Sequence, residues 1–434
     1  MAIDTAALEL TREHEAVEGH KPQLPTLSRS AEQSEIRRAP KFKPGAGFWV
    51  IAAAFLTVMA FSTVPTPLYS IYQQRDGFPT FVITVIFAAY AVGVMASLYF
   101  VGHISDWAGR RRMILVAILL EIVAAVVFLV WTDVPGLIVA RVITGLGVGA
   151  LTATATAHLS ELRASAHPEE KGGFVSATVS TVVNIGGLAF GPLVAGFLAQ
   201  YIAAPLVAPY VVFLALLAVA ALAVALVPET VEKNEERPAY RPQRVSIPAA
   251  SRPVFFAAGA GVFAAFAIFG LFTSLAPTFV AGQLHETSRL VAGAVTFGVF
   301  GSAATAQVFL ARLPIRRQLV LATTLMVIGL LGIVAGVLTE SLALFVIAGI
   351  IAGAGVGLLF RSSLGVAGSL ASPGTRGEVL AAMFLIAYAG LAIPVLAIGV
   401  SVAFLSTTVT LVGFAAVILV LVAIAAQRML ATIR

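Results

Sequence analysis

Gly102-His103-Ile104-Ser105-Asp106-Trp107-Ala108-Gly109-Arg110-Arg111-Arg112 is the stretch on which the fold turns. It carries a carboxylate and three consecutive arginines, yet it lies between two apolar runs, 81–103 and 113–132, each near the roughly 20 residues that cross ~30 Å of hydrocarbon. A charged segment this short between two such runs is a turn at a membrane face. Outward from it, the same reading finds further spans at 47–72, 136–160, 174–198, 206–227, 253–280, 290–311, 318–338, 342–364, 378–402 and 406–427. Composition agrees, since 59% of residues are hydrophobic and 11% charged, against about 25% charged in soluble domains. Mean hydropathy is +0.98. The expected fold class is an all-α membrane protein of twelve transmembrane helices.

Twelve crossings return the chain to the face it started from. Of 27 Lys and Arg residues, 23 fall in the two tails and in the loops on that face. Arg75 and Arg289 lie in opposite loops, and Arg141 and Arg361 lie inside spans. The positive-inside rule then assigns both termini to the cytoplasm. The net charge of +6 is therefore topological, and no polar segment is long enough to build a basic surface for nucleic acid. Absence of cysteine excludes disulfides, thiolate chemistry and Cys-based metal sites. No Gly-Lys pair occurs, so a P-loop and an ATP partner are excluded. No cofactor or metal is expected.

Residues 1–46 mix seven acidic with seven basic residues, contain four prolines and lack an apolar core. They read as a disordered cytoplasmic tail and not as a signal peptide. Arg37-Arg38 admits a twin-arginine reading, but beside Lys41 and Lys43 it reads better as a topological anchor. The longest polar interruption, 228–252, divides the spans six and six, giving bundles at 47–227 and 253–427, a cytoplasmic linker between them, and a second tail at 428–434. The halves echo each other. Ser62-Thr63-Val64-Pro65-Thr66 is matched by Ser274-Leu275-Ala276-Pro277-Thr278, and Gly145-Leu146-Gly147-Val148-Gly149 by Gly353-Ala354-Gly355-Val356-Gly357. Arg316-Arg317 likewise sits where Arg110-Arg111 sits. Both glycine strings lie inside apolar spans with no preceding strand, so they read as close helix packing and not as nucleotide-binding turns.

Gly102, Asp106, Gly109 and Arg110, at offsets 0, 4, 7 and 8 and followed by Arg111 and Arg112, resemble the loop between helices 2 and 3 of major facilitator superfamily transporters. The chain is most similar to their twelve-helix drug/proton antiporter group. The resemblance implies two pseudo-symmetric six-helix bundles around a midplane cavity that opens to each side in turn. It also implies a cytoplasmic latch formed by Gly102, Asp106, Gly109, Arg110, Arg112 and Glu161. In it Asp106 meets the N-terminal end of the eleventh helix and Arg110 pairs with Glu161. The bland reading of the arginines is positive-inside anchoring, and Arg111 fits it best.

Leu137–Ala150, LIVARVITGLGVGA, is similar to the helix 4 motif of the family, whose arginine is assigned to proton coupling. Arg141 is that residue here. An arginine inside the membrane is expensive and usually functional, although snorkelling to the near outer interface is the competing reading. Glu121 is the one carboxylate deep in a span, about eight residues into the third. It qualifies as a proton carrier by burial; a structural hydrogen bond is the alternative, and a long-reach pairing with Arg141 is a third. Many proton-coupled drug exporters carry a carboxylate in helix 1, and this chain has none there. Asn184–Gly196 resembles the helix 5 antiporter signature, with Gly187, Gly191, Pro192 and Gly196 at its key positions and Ala195 replacing one glycine. Proline kinks the helix and the glycines admit a close neighbour, which suits a seal on the external side; generic packing is the alternative. If the family plan holds, helices 1, 4, 7 and 10 line the cavity, flanked by 2, 5, 8 and 11. Met59, Tyr69, Asn184, Phe263, Phe266, Gln307 and Tyr388 are then the candidate wall residues.

These expectations describe a non-enzymatic, secondary active transporter, a monomer in the lipid bilayer, whose partners are a small-molecule substrate and protons. Export of small lipophilic or drug-like molecules is the leading reading. Uptake of sugars or organic acids on the same fold is the alternative, and a non-transporting membrane sensor is a third.

Overall fold

The computed structural model describes residues 42–101, 108–170, 172–231, 251–371 and 376–432, and every element among them is helical. Helix α1 runs over Pro44–Thr63, passes through a 3-10 turn at Thr66–Leu68 and continues as Tyr69–Asp76. Then follow α2 (Thr80–Val101), α3 (Arg110–Val130), α4 (Val134–Ala166), α5 (Phe174–Tyr201) and α6 (Ala208–Val224). Helix α7 runs over Arg252–Ser274 and, after a break, Ala276–Gln283. It is followed by α8 (Arg289–Phe309), α9 (Ile315–Leu338), α10 (Leu342–Ser369), α11 (Arg376–Ser401) and α12 (Thr407–Thr432). Eleven of these are long and apolar enough to cross a membrane, and α6 is a shorter apolar helix. Twelve successive crossings return the described chain to the side on which it starts, the terminal face; the opposite one is the distal face.

Two spans depart from the sequence reading. The first and seventh are expected to be continuous, and both break at the echoed Ser-x-x-Pro-Thr motif. The reason is local: Pro65, Pro67 and Pro277 have no N–H to continue the ladder. Helices α4 and α10 also run on past their expected ends at 160 and 364. In α4 this is because Leu159 and Leu162 keep the i, i+3 burial pattern. Glu161 therefore stands on a helix and not in a loop.

The twofold correspondence is visible in how the glycine strings pack. Gly145 and Gly149 press on Gly93, Val94 and Ser97 of α2, while Gly147 presses on Ala117 and Glu121 of α3. Gly353 and Gly357 press on Val299, Ser302 and Ala303 of α8, while Gly355 presses on Ala322 and Met326 of α9. A Cβ at any of these positions would collide with backbone or side-chain atoms, so only glycine permits the approach. The crossing of α4 over α2 and α3 thus repeats as α10 over α8 and α9.

Helices α3 and α9 turn an apolar stripe outward. Val116, Leu119, Val123, Val126 and Val130 are exposed on α3, as are Val320, Val327, Ile328, Leu331 and Leu338 on α9. Contiguous exposed aliphatic surface of this extent has acyl chains as its solvent.

Candidate functional site

The break in α1 builds the first part of the site. Pro65 and Pro67 cannot donate to the Phe61 and Thr63 carbonyls, and the change to a 3-10 turn at Thr66 leaves the Ser62 carbonyl between them outside the α-helical ladder as well. The Val64 amide turns back to the Phe61 carbonyl at 3.1 Å, and the Ser62 carbonyl accepts from Arg141 Nη1 at 2.6 Å. Arg141 is 2% exposed. Its guanidinium carbon stands 4.4 Å from the Tyr90 ring centroid and 5.7 Å from that of Phe87. The side chain therefore reaches inward to α1 and α2, which corrects the snorkelling alternative: a freed carbonyl and two ring faces supply the contacts that an interface would otherwise provide. Its Nε has no hydrogen-bond partner among the described residues.

Glu121 is fully buried, and both carboxyl oxygens lack a hydrogen-bond partner among the described residues. Because α3 begins at Arg110, Glu121 lies nearer mid-helix than its sequence position implied. The carboxyl fills the notch at Gly147. No ion pair joins it to Arg141 among the described residues, because the guanidinium is held toward α1; the two remain within electrostatic reach.

Helix α5 joins the two halves. Pro192 removes the donor that would pair the Leu188 carbonyl, and Thr63 Oγ1, at the end of the first segment of α1, donates to that carbonyl at 3.1 Å. Gly187 lies against Leu56, Met59 and Ala60, and Gly191 against Ala60 and Thr63. Gly196 lies against the backbone of Arg289 at the start of α8, and Gly293 of α8 against Pro192. At the distal face the Arg289 amide donates to Gln200 Oε1 at 2.9 Å and Arg289 Nη1 to the Ala199 carbonyl at 3.2 Å. First-half and second-half helices are thus in backbone-to-backbone contact on the distal side.

Between the halves lies a cavity of about 140 Å³, lined by residues of α1, α2, α4, α5, α7, α8, α10 and α11. Of the sequence candidates, Asn184, Phe266, Gln307 and Tyr388 line it. Met59, Tyr69 and Phe263 do not; the first two are buried in the core, and Phe263 is half-buried on α7. Met59 sits under Gly187, the backbone of Phe263 meets Gly390 of α11, and Tyr69 is buried beyond the break in α1. The wall also includes Arg141, Phe360 and Phe384, which the sequence reading did not place there. Edge contacts link its rings. Tyr90 and Tyr388 are 6.2 Å apart, Tyr388 and Phe266 5.6 Å, Phe266 and Phe360 5.2 Å, and Phe360 and Phe384 5.9 Å. Nothing in sequence sets Phe360 or Phe384 apart from the other phenylalanines.

A polar cluster closes the terminal end of the first half. Arg110 Nε stands 3.2 Å from Glu161 Oε1, and Thr230 Oγ1 donates to the other Glu161 oxygen. Glu229, absent from the sequence reading, accepts from the amides of Arg110 at 2.8 Å and Arg111 at 3.4 Å, a carboxylate at the positive end of α3. Gly109 has φ +101°, and a Cβ there would collide with Glu229. Arg111 Nη1 donates to the Val227 carbonyl at 3.0 Å, while Arg112 is exposed. Gly102 and Asp106 lie outside the described residues.

A family model described as the Major Facilitator Superfamily matches residues 6–126 and 50–395. Among curated proteins, the arabinose-proton symporter of Bacillus subtilis (strain 168) is 36% identical over 94 residues, 22% of this chain and 19% of that protein. The match thus spans about a fifth of that relative's length. Three solved structures share the fold. The human organic anion transporter MFSD10 (TETRAN) has a TM-score of 0.63 at 17% identity, over 89% of this chain and 100% of that one. The nucleoside transporter NupG, solved as a point mutant, has 0.65 at 12%, over 88% and 99%. A POT family transporter in complex with 5-aminolevulinic acid has 0.70 at 12%, over 88% and 94%. With the family model spanning most of the chain and an all-helical, two-half architecture around a central cavity, this multi-pass membrane protein belongs to the Major Facilitator Superfamily of secondary transporters.

Proposed function

We propose that the protein exports small, mostly apolar molecules across a bacterial plasma membrane in exchange for protons, with both termini in the cytoplasm and as a monomer. The observation that carries this reading is the cavity itself: eight aromatic side chains line it, and the surface it presents is mostly apolar, the composition of a small-molecule pocket. Access alternates by rocking the halves. The α5–α8 contact at Pro192 and Gly293 seals the distal side in one state, and the cluster of Arg110, Glu161 and Glu229 braces the terminal side. Glu121, buried in mid-helix without a partner, is the group that takes and releases the proton, and Arg141 is the nearby charge that senses it.

Proteoliposomes with an imposed pH gradient test the coupling. Accumulation should follow the gradient, and equal rates with and without it would remove the proton from the mechanism. Cells lacking the protein should retain more of a labelled substrate than cells that have it.

Uptake by symport is the second reading, favoured by the 94-residue match to the arabinose-proton symporter. A sugar needs a partner for each buried hydroxyl, and in this wall the hydroxyls of Ser62, Thr63, Thr181 and Thr273 already donate to helix carbonyls. Saturable arabinose uptake into proteoliposomes would select this reading over export.

A further inference from the structure

Arg141 brings to the cavity a charge that its wall does not balance. The side chain is buried and lines the cavity, and Nη1 is engaged on the Ser62 carbonyl. Nε has no partner, and no carboxylate lines the cavity among the described residues. A guanidinium edge with an unused donor, shielded from water, is the surface on which a carboxylate or sulfonate seats with parallel charge-assisted bonds. Next to it begins the run of ring contacts from Tyr90 through Tyr388 to Phe266 and Phe360. Gln307, 6% exposed, adds a second donor without a partner among the described residues, its amide Nε2. The volume of about 140 Å³ is close to the roughly 150 Å³ that holds one benzene in an engineered core.

We infer that the cavity takes a small aromatic monoanion, its carboxylate or sulfonate on Arg141 and its single ring against Tyr388, Phe266 and Phe360. The inference rests on the transporter reading for movement of that ligand, but not for its binding. A neutral ring compound leaves the cavity side of the guanidinium without a counter-charge, because the nearby Glu121 carboxyl does not line the cavity, and a cationic one is repelled by it.

Benzenesulfonate, benzenesulfonamide and benzylamine share one ring and differ in charge. Their binding to the purified full-length protein is read by calorimetry, and their exchange by counterflow of labelled compound in proteoliposomes without a pH gradient, which needs neither proton coupling nor a direction. Benzenesulfonate should bind about ten-fold more tightly than the sulfonamide, the scale of one charge-assisted hydrogen bond, with benzylamine weakest. Arg141→Gln should erase this preference, and Arg141→Lys should weaken it without reversing it. Because Arg141 also holds the Ser62 carbonyl, Arg141→Gln can fail to fold. Gln307→Leu and Phe266→Ala leave that bond intact and should each weaken benzenesulfonate several-fold. Equal or tighter binding of the sulfonamide or the amine, binding of none of the three, or a preference that survives in folded Arg141→Gln overturns the inference. Tight anion binding without exchange removes the transport reading and leaves this one standing; exchange of the neutral or cationic compound but not the sulfonate does the reverse.

Discussion

Glu121 occupies at Gly147 the place that Met326 occupies at Gly355. The two halves repeat the same crossing of three helices, and in the second an unbranched apolar side chain fills the notch. The fold therefore asks only for apolar volume there. A carboxyl at the equivalent point in the first half, with neither oxygen hydrogen-bonded among the described residues, is an addition that packing does not explain.

Glu121→Met should accordingly fold at least as well as the parent, because it removes a buried polar group worth roughly 1–3 kcal/mol and restores the filler used by the other half. Counterflow exchange should persist while accumulation driven by a pH gradient is lost. A variant that melts lower, or that still accumulates substrate with the gradient, would return Glu121 to a structural role.

Gly147→Val tests the same contact from α4. The added side chain would collide with the Glu121 carboxyl and the Ala117 carbonyl, and overpacking of this kind costs about 1–3 kcal/mol. Gly186→Ala, where a Cβ meets nothing, is the control and should leave the melting temperature of the detergent-solubilised protein unchanged.

Thr63→Val keeps the shape of the side chain and removes the donor to the Leu188 carbonyl. With Pro192 unable to pair that carbonyl, the loss should cost about 1–3 kcal/mol. Pro192→Ala returns a local donor, so the double variant Thr63→Val/Pro192→Ala should recover part of the stability. A single variant that melts with the parent would show that the bond contributes nothing.

Gly293→Leu should disfavour closure of the distal side, because any side chain there meets the backbone of Pro192. The chain has no cysteine, so a pair introduced at Val207 and Phe404, both exposed beside distal-face loops, gives a clean spin-label distance. That distance should lengthen in the variant. An unchanged distribution would mean that α5 and α8 do not form the distal seal.

Much of this protein was legible before any coordinate. Helix number and the two-bundle plan follow from hydrophobic run length and the polar break between the halves, which report on the bilayer as solvent and need no tertiary partner. Gly145–Gly149 and Gly353–Gly357 could be read as packing motifs because a glycine string inside a span has few other uses. What stayed hidden was direction. Whether Arg141 snorkels or turns inward depends on a carbonyl freed 79 positions away in the chain, at Ser62, and no local pattern reports that. Residue type puts Met59, Tyr69 and Phe263 on the wall, yet Met59 packs under Gly187 of α5, Tyr69 is buried beyond the α1 break, and Phe263 stands half-buried away from the cavity. Glu229 could not be found as the partner of the α3 N-terminus because the two meet only when the chain has crossed the membrane several more times. Sequence by itself thus determined which segments leave water; the tertiary structure decided which side chains face one another, because hydrophobicity is a property of each residue and contact is a property of two.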